Sequence, residues 1–368
     1  MRNALLLSIA AGSGHTQAAS ALAEGLRSLG DWDCHIADAF REFNPLLDRA
    51  VVGTYLEVLK HTPKVFGFLY RQAASESLAP GAKRELMRLL RRLTAPKLTQ
   101  RLAEIAPRVV ICTHPFPLGI MSVLKERGEF RSSLVAAMTD HAAHPFWTFP
   151  GVDLYLWPNH EVAQYLGPAI GGARAAVTGI PIAPAFERAR EPLATYDALV
   201  MGGGLGLGRL VELVDHLVER VGASVAVVTG RNEELRSKLS RSAGRYPAGR
   251  VGVFGFTLEI PRLMASARLL LTKAGGLTTA EALALGLPMI LVQPLPGPEQ
   301  ENADYLVRLG AGVRADDPLE AAVVARYLLN SPKDLEAMGA RALVLGRPRS
   351  AHMAASAITE LVERGEAR

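Results

Sequence analysis

Uninterrupted runs of apolar residues recur along the chain, and each run ends in a short segment of glycine or polar residues. Runs of this kind are typical of strands that are buried on both faces of a parallel sheet, with helices between them. In the first half they cover residues 5–9, 109–112, 134–138 and 154–157; in the second half they cover residues 196–200, 225–230, 251–253, 269–271 and 288–292. The pattern predicts an α/β fold in which strands and helices alternate.

A proline-rich stretch at residues 179–192 separates the two sets of runs, and the strand, glycine-rich loop and helix pattern restarts after it. A chain of 368 residues also suits two domains better than one. We therefore predict an N-terminal domain at 1–182, a C-terminal domain at 193–348, and a last helix at 349–368 that crosses back to the first domain. Ligands of such sheets bind beyond the carboxyl ends of the strands.

The bulk composition describes a globular protein, with 49% hydrophobic and 21% charged residues. Its two cysteines, Cys34 and Cys112, give no disulfide framework, which favours a reducing cytoplasm. The apolar run near the N-terminus is short and enters a Gly-Ser-Gly-His loop, so we interpret it as a first strand and not as a signal peptide. No stretch is long and apolar enough to span a bilayer, so we expect any membrane contact to be peripheral.

Positive charge is concentrated in one segment of the chain. Residues 55–101 hold ten Lys and Arg against three Glu, a net charge of +7, while the whole chain carries +5. Aromatic and leucine side chains are interleaved with these basic residues, a composition that suits an anionic membrane surface. A solvated helix face over an ordinary core is the alternative, and nucleic acid is disfavoured because no nucleic-acid-binding module is present.

The richest candidate chemistry follows the apolar run at 269–271. Gly275 and Gly276 let a backbone approach a ligand closely, and a helix that we predict to open at Thr278 and Thr279 offers free N–H groups to a diphosphate. Glu281, one turn further, could accept the hydroxyls of a ribose. The same residues could instead form only a tight strand-to-helix turn, with Glu281 as an acid that stabilises the helix dipole. The local pattern leaves both interpretations open.

A second candidate site is the loop Gly12-Ser13-Gly14, which His15 follows. The third glycine of a dinucleotide fingerprint is missing, so nicotinamide binding is disfavoured. His15 can titrate near neutral pH and could take a proton from a hydroxyl group. Asp140, after the run at 134–138, could orient that base or act as one. Together with His141 and His144 it could also form a metal site, which is the weaker alternative.

Taken together, these segments resemble the lipid glycosyltransferases of family 28, above all the processive diacylglycerol glucosyltransferases and the monogalactosyldiacylglycerol synthases. The similarity includes the spacing of Asp140, His144 and Trp147, and it departs from the family pattern at Ala274 and Pro298, where Pro and Gln are usual. In the second half it is carried by residues 255–257, 263–264, 272–278, 281–283, 286–288, 296–297, 299 and 301–305.

The resemblance implies a GT-B fold, with two facing Rossmann-like domains and a cleft between them. It implies an inverting hexosyltransferase that uses a UDP-sugar and a lipid hydroxyl such as that of diacylglycerol, at the cytoplasmic face of the membrane, with no metal or other cofactor. By position it assigns catalysis to His15 and Asp140 and the acceptor to His141, His144 and Trp147. It assigns the donor to Gly14, Gly203, Phe254, Gly255, Phe256, Thr257, Lys273, Gly275, Gly276, Leu277, Thr278, Glu281, Glu299, Gln300, Glu301 and Asn302.

Three other functions remain open at the level of sequence. One is N-acetylglucosamine transfer to a polyprenyl-linked peptidoglycan precursor, the second is UDP-sugar epimerisation on the same fold, and the third is a non-catalytic membrane protein that binds nucleotide sugars. An epimerase would turn over the donor without any lipid, and a binding protein would release no UDP. The sequence does not name the sugar that is transferred.

Overall fold

The computed structural model describes residues 1–10, 13–49, 53, 80–188, 191–204, 206 and 208–366. The chain forms two compact units, one of Met1–Pro184 with Arg349–Arg368 and the other of Ala185–Pro348. Each unit contains a parallel sheet of six strands with helices packed against it. The predicted α/β fold with two parallel sheets is therefore confirmed. Most of the basic segment that precedes residue 80 lies outside the described residues.

The first unit has the strand order β2-β1-β3-β4-β5-β6. Its strands are β1 (Arg2–Ser8), β2 (Trp32–Asp38), β3 (Val109–Cys112), β4 (Ser133–Ala137), β5 (Leu154–Trp157) and β6 (Arg174–Val177). Its helices up to residue 184 are α1 (Gly14–Ser28), α2 (Pro45–Asp48), α3 (Pro80–Ile105), α4 (Pro115–Glu126) and α5 (His160–Leu166), with 3-10 turns at Pro145–Trp147 and Gly167–Ala169. The central strands β1, β3, β4 and β5 are apolar and buried, because helices cover both faces of the sheet.

The second unit has the strand order β12-β11-β10-β7-β8-β9. Its strands are β7 (Tyr196–Met201), β8 (Val225–Val228), β9 (Val251–Phe254), β10 (Ala267–Thr272), β11 (Met289–Val292) and β12 (Gly312–Ala315). Its helices are α6 (Ala185–Arg188), α7 (Leu210–His216, continued by a π-helical turn at Leu217–Val221), α8 (Glu233–Ala243), α9 (Ile260–Ala265), α10 (Gly276–Leu285), α11 (Pro298–Arg308), α12 (Pro318–Leu329) and α13 (Pro332–Leu345).

The last helix, α14 (Ser350–Glu366), belongs to the first unit and packs on α1. The approach of the two helices needs a glycine, because a Cβ at Gly25 would lie 2.7 Å from the carbonyl oxygen of Ala351. Trp32 adds a hydrogen bond of 3.2 Å from its indole N–H to the Thr359 hydroxyl. Within the described residues, no helix has the length and apolar character needed to span a membrane.

In both sheets the first strand lies inside the sheet, because successive strands are added first on one side of it and then on the other. The change of side falls between β1 and β3 in the first unit and between β7 and β10 in the second. Ligands of open parallel sheets bind at such switch points, outside the carboxyl ends of the two strands. Ligand-binding residues are therefore expected in the segments that follow β1, β3, β7 and β10. These segments contain several of the candidate residues predicted from the sequence.

Candidate active site

His15 stands at the switch point of the first sheet. It is the second residue of α1, just beyond the end of β1, and Thr113 follows the neighbouring strand β3. Thr113 holds His15 by two hydrogen bonds: its carbonyl oxygen lies 2.8 Å from His15 Nδ1, and its hydroxyl donates to the His15 carbonyl oxygen at 3.0 Å. The imidazole is thereby fixed in position from the end of the adjacent strand.

These contacts determine which ring nitrogen of His15 carries the proton. A carbonyl oxygen can only accept a hydrogen bond, so the Nδ1 next to the Thr113 carbonyl must be the protonated nitrogen. The Thr139 hydroxyl, 2.9 Å from Nδ1, accepts from the same N–H. In the neutral ring Nε2 then has a free lone pair, which is the form that a general base requires.

The surroundings of His15 keep the ring neutral. Burial lowers the pKa of His15 from its usual 6.5, and the Asp140 carboxylate and the hydrogen bond to Thr113 oppose part of that shift. The ring of His114 lies edge-on to it with centroids 4.7 Å apart. Burial and the charge of His15 hold the pKa of His114 well below its usual range. Of these groups, Asp140 is the one whose charge stabilises a proton on His15.

The predicted acceptor residues have structural partners in the first unit. His144 begins the turn at Pro145–Trp147, where its Nδ1 accepts from the Phe146 N–H at 3.1 Å. His141 is buried, and its carbonyl oxygen accepts from Asn159 at 2.7 Å. Trp147 is 3% exposed and packs in the hydrophobic core. Direct contact of these three residues with an acceptor stays a prediction.

In the second unit, the switch point lies between β7 and the segment that follows β10. Helix α10 begins at Gly276, two residues earlier than predicted, with Gly275 as an N-cap that offers no side chain. The N–H groups of Gly276, Leu277 and Thr278 have no acceptor among the described residues, and the first internal bond runs from the Thr279 N–H to the Gly275 carbonyl at 3.1 Å. Three donors at the positive end of a helix dipole suit a phosphate group.

Glu281 lies on the second turn of α10. None of the described residues gives its carboxyl group a hydrogen bond or an ion pair, and burial raises its pKa to about 8. A carboxyl group in this state carries its proton at neutral pH, so it can donate one hydrogen bond and accept another. That combination suits a pair of ribose hydroxyls, although the prediction of ribose binding remains open.

The carboxylate-rich sequence at 299–302 suggests a loop that faces the sugar hydroxyls. That prediction is wrong, because these residues form the first turn of α11. Glu299 accepts from the Leu295 N–H at 3.0 Å and lies 3.7 Å from the ammonium of Lys273. Asn302 is 0% exposed, and its amide donates to the Ala274 carbonyl at 3.1 Å. Asn302 therefore braces the turn between β10 and α10, while Gln300 and Glu301 lie partly exposed on the same turn of helix.

Two further predicted donor segments lie at the ends of neighbouring strands. Gly203, with φ of +69°, is part of the turn that follows β7. Phe254 is the last residue of β9, and Gly255 follows it. Phe256, the next residue, is 49% exposed. Thr257 accepts from the Glu259 N–H at 3.0 Å and so prepares the start of α9. Gly14 opens α1 in the first unit, and Gly12 lies outside the described residues.

Sequence reasoning gave no role to Thr113 or Thr139, the two residues that orient His15. A signal for them exists, because each threonine lies within two residues of the end of a buried strand and directly precedes His114 or Asp140. In the described part of the chain, no group of three or more His, Cys, Asp or Glu side chains is arranged to hold a metal ion.

Family comparisons cover both halves of the chain. The family model described as "Monogalactosyldiacylglycerol (MGDG) synthase" matches residues 15–182, and the "Glycosyltransferase family 28 C-terminal domain" matches residues 198–343. A probable monogalactosyldiacylglycerol synthase 2, chloroplastic, from Oryza sativa subsp. japonica is 32% identical over 95% of this chain and 78% of its own. A processive diacylglycerol beta-glucosyltransferase from Bacillus licheniformis is 26% identical over 99% of this chain and 96% of its own.

Solved structures share the fold at low sequence identity. UGT2 of Phytolacca americana, solved in complex with UDP-2fluoro-glucose and pterostilbene, has a TM-score of 0.64 and 13% identity. The alignment covers 99% of this chain and 100% of that one. The likeness identifies the fold as GT-B, and at this identity it carries no information about substrates.

Proposed function

Because the chain belongs to the monogalactosyldiacylglycerol synthase group of glycosyltransferase family 28, we propose that it transfers a hexose from a UDP-sugar to the hydroxyl of diacylglycerol. Its enzyme class is that of a glycosyltransferase. Relatives named for glucosyl and for galactosyl transfer are both similar to it, so the proposal covers the hexose class and not one sugar. The reaction serves glycolipid synthesis at the cytoplasmic face of the membrane.

The observation that carries the proposal is the hydrogen bonding and the protonation state of the His15 ring. Its Nδ1–H is committed to the Thr113 carbonyl, and burial holds its pKa below 6.5, so Nε2 is a neutral base at physiological pH. A base with these properties suits the deprotonation of an alcohol that becomes a nucleophile. A protein that only binds nucleotide sugars has no use for it.

The chemical step follows from the two predicted half-sites. As the acceptor oxygen forms its bond to the anomeric carbon, its proton passes to His15 Nε2 and Asp140 stabilises the imidazolium. The bond from the anomeric carbon to the diphosphate oxygen breaks, and its electron pair leaves with UDP. The N–H groups at the start of α10 stabilise that developing charge. A single displacement inverts the anomeric centre and gives a β-glycoside from an α-linked donor.

The first experiment measures UDP release by the purified full chain with UDP-glucose or UDP-galactose, with and without diacylglycerol in vesicles. We expect release that depends on the lipid, and we expect His15→Ala to lower it about 100-fold or more. Leu29→Ala, at an exposed residue just after α1, serves as the control and keeps full activity. Release without lipid, with an epimerised donor, would favour the epimerase; activity only with a polyprenyl-linked acceptor would favour the peptidoglycan reaction.

The membrane part of the proposal rests on helix α3. Its buried face packs in the core of the first unit through Met87, Leu90 and other apolar residues. Leu86, Leu89 and Leu93 lie outside that buried face and are 40%, 53% and 44% exposed. The sequence analysis grouped all these apolar residues together. The helix separates them into a core face, with Met87 and Leu90, and an outer stripe, with Leu86, Leu89 and Leu93.

Basic residues accompany that outer stripe. Arg88 and Arg101 are bound to glutamates of the same helix, whereas Arg92 and Lys97 have no carboxylate within salt-bridge distance among the described residues. Exposed leucines beside basic side chains suit the interface of an anionic bilayer, where each basic residue contributes about 1 kcal/mol. We therefore propose that the outer face of α3 contacts the membrane.

Vesicle cosedimentation tests this assignment. The double substitution Leu89→Ser and Leu93→Ser should reduce binding to vesicles that contain phosphatidylglycerol, and high salt should reduce binding of the unchanged protein. Val344→Ser, at a 76% exposed residue of α13, is the matched control. Equal loss of binding in both variants would contradict the role of α3.

A further inference from the structure

The turns that follow β7 and β8 interlock through their backbones. Gly230, with φ of +60°, lies so close to the glycine-rich turn that a Cβ there would be 2.6 Å from the carbonyl oxygen of Gly204 and 2.7 Å from that of Gly203. The next residue, Arg231, donates its backbone N–H to the Gly204 carbonyl at 3.1 Å. Arg231 is therefore fixed against the turn at the switch point of the second sheet.

The side chain of Arg231 is held by an aromatic ring. Its guanidinium carbon lies 5.0 Å from the centroid of the Phe256 ring, which follows the neighbouring strand β9. A cation over an aromatic face at this distance is attracted by the ring quadrupole. Among the described residues, no group accepts a hydrogen bond from the Arg231 guanidinium, so its N–H groups can bind a ligand.

Within the part of the chain that the structure describes, no carboxylate neutralises the charge of Arg231. None of the described residues places a carboxylate within salt-bridge distance of it, whereas two arginines nearby in the chain, Arg209 and Arg236, pair with Glu212 and Glu233. Among the other cations of this region, Lys273 lies 3.7 Å from Glu299. The backbone of Arg231 is held on the glycine-rich turn, its guanidinium lies over Phe256, and no carboxylate among the described residues pairs with it, so it is suited to bind an anion.

We propose that Arg231 is a donor-binding residue that pairs with the diphosphate of the nucleotide sugar, and that Phe256 positions its guanidinium. The inference rests on the proposed function for the identity of the donor. Backbone N–H groups at the start of α10 provide only a partial charge, while a diphosphate carries full negative charges. A planar guanidinium supplies the missing full charge and two parallel hydrogen-bond donors.

Calorimetric binding of UDP and of uridine to the full chain separates this role from others. Loss of a charge-assisted contact to the diphosphate should weaken UDP binding about 10–100-fold in Arg231→Ala and leave uridine binding within about 2-fold. Arg231→Lys should recover part of the loss, since it restores the charge without the planar fork. Phe256→Leu should weaken UDP binding less than Arg231→Ala does. Arg241→Ala, at an exposed arginine of α8, is the control and should change neither affinity.

Three outcomes would overturn the inference. UDP binding by Arg231→Ala at the strength of the unchanged protein would exclude the contact. An equal loss of UDP and uridine affinity would assign Arg231 to the base or to the fold, and a lowered melting temperature would point to the fold. If the unchanged protein bound neither UDP nor uridine, the proposed function itself would fail, which distinguishes the two failures.

Discussion

Replacing Gly230 with alanine tests the interlocked turns that support the donor half-site. The added Cβ meets two constraints at once, because φ is +60° and the carbonyl oxygens of Gly204 and Gly203 lie 2.6 and 2.7 Å from its position. A left-handed conformation costs a residue with a Cβ about 1 kcal/mol. Overlap with rigid backbone adds about 1–3 kcal/mol, since the two turns must separate. We expect a total loss of about 3 kcal/mol.

Gly249→Ala is the matched control for that substitution. Gly249 also has a positive φ, of +80°, but no atom lies within 4 Å of its would-be Cβ, so only the conformational cost applies. For a unit of this size we expect a decrease in Tm of about 6–12 °C for Gly230→Ala and about 2–4 °C for Gly249→Ala. Differential scanning fluorimetry measures both, and UDP affinity should fall only in Gly230→Ala. Equal decreases in Tm for the two variants would refute the interlocked arrangement.

Three other predictions concern charge and hydrogen bonding. Asp140→Asn removes a carboxylate that raises the pKa of His15, so the acidic limb of the pH–rate profile should move to lower pH and the plateau should fall; an unchanged limb would remove Asp140 from the site. Glu281 binds a proton in the folded state up to pH about 8, so its contribution to stability is present below its unfolded pKa and is lost as pH rises through 8. Glu281→Gln should therefore gain stability relative to the unchanged protein between pH 5 and pH 9, by at most about 5 kcal/mol, in urea denaturation at each pH. Asn302→Ala removes the amide donor to the Ala274 carbonyl and should cost about 1–3 kcal/mol, with weaker UDP binding; a stable variant with normal affinity would contradict the bracing role.

The buried strands of both sheets are predictable from the sequence, and the edge strands are less so. Strands such as β3 and β10 are apolar because helices cover both of their faces. The strands β2, β6, β9 and β12 lie at sheet edges. The apolar pattern predicts β9 but not the other three, which carry polar residues such as His35 and Arg174 that can reach solvent. Edge position therefore explains the strands that the pattern missed.

Local conformation in the candidate site is predicted less well than its residue types. The carboxylate-rich sequence after Gly297 suggests a loop that binds sugar hydroxyls, yet Pro298 is well suited to the first turn of a helix, and α11 begins there. The orientation of His15 depends on contacts with Thr113 and Thr139, which are 98 and 124 residues away in the chain. Strand pairing creates such contacts, and no local pattern contains them.

The most direct test of the account is the chemical identity of the product. The purified chain is incubated with an α-linked UDP-hexose and diacylglycerol vesicles, and the lipid extract is examined by mass spectrometry and by NMR of the anomeric proton. The account predicts a hexosyl diacylglycerol with a β-linkage, absent in His15→Ala. An α-linked product would contradict the single displacement, and a lipid extract without added hexose for any UDP-hexose would contradict the proposed function.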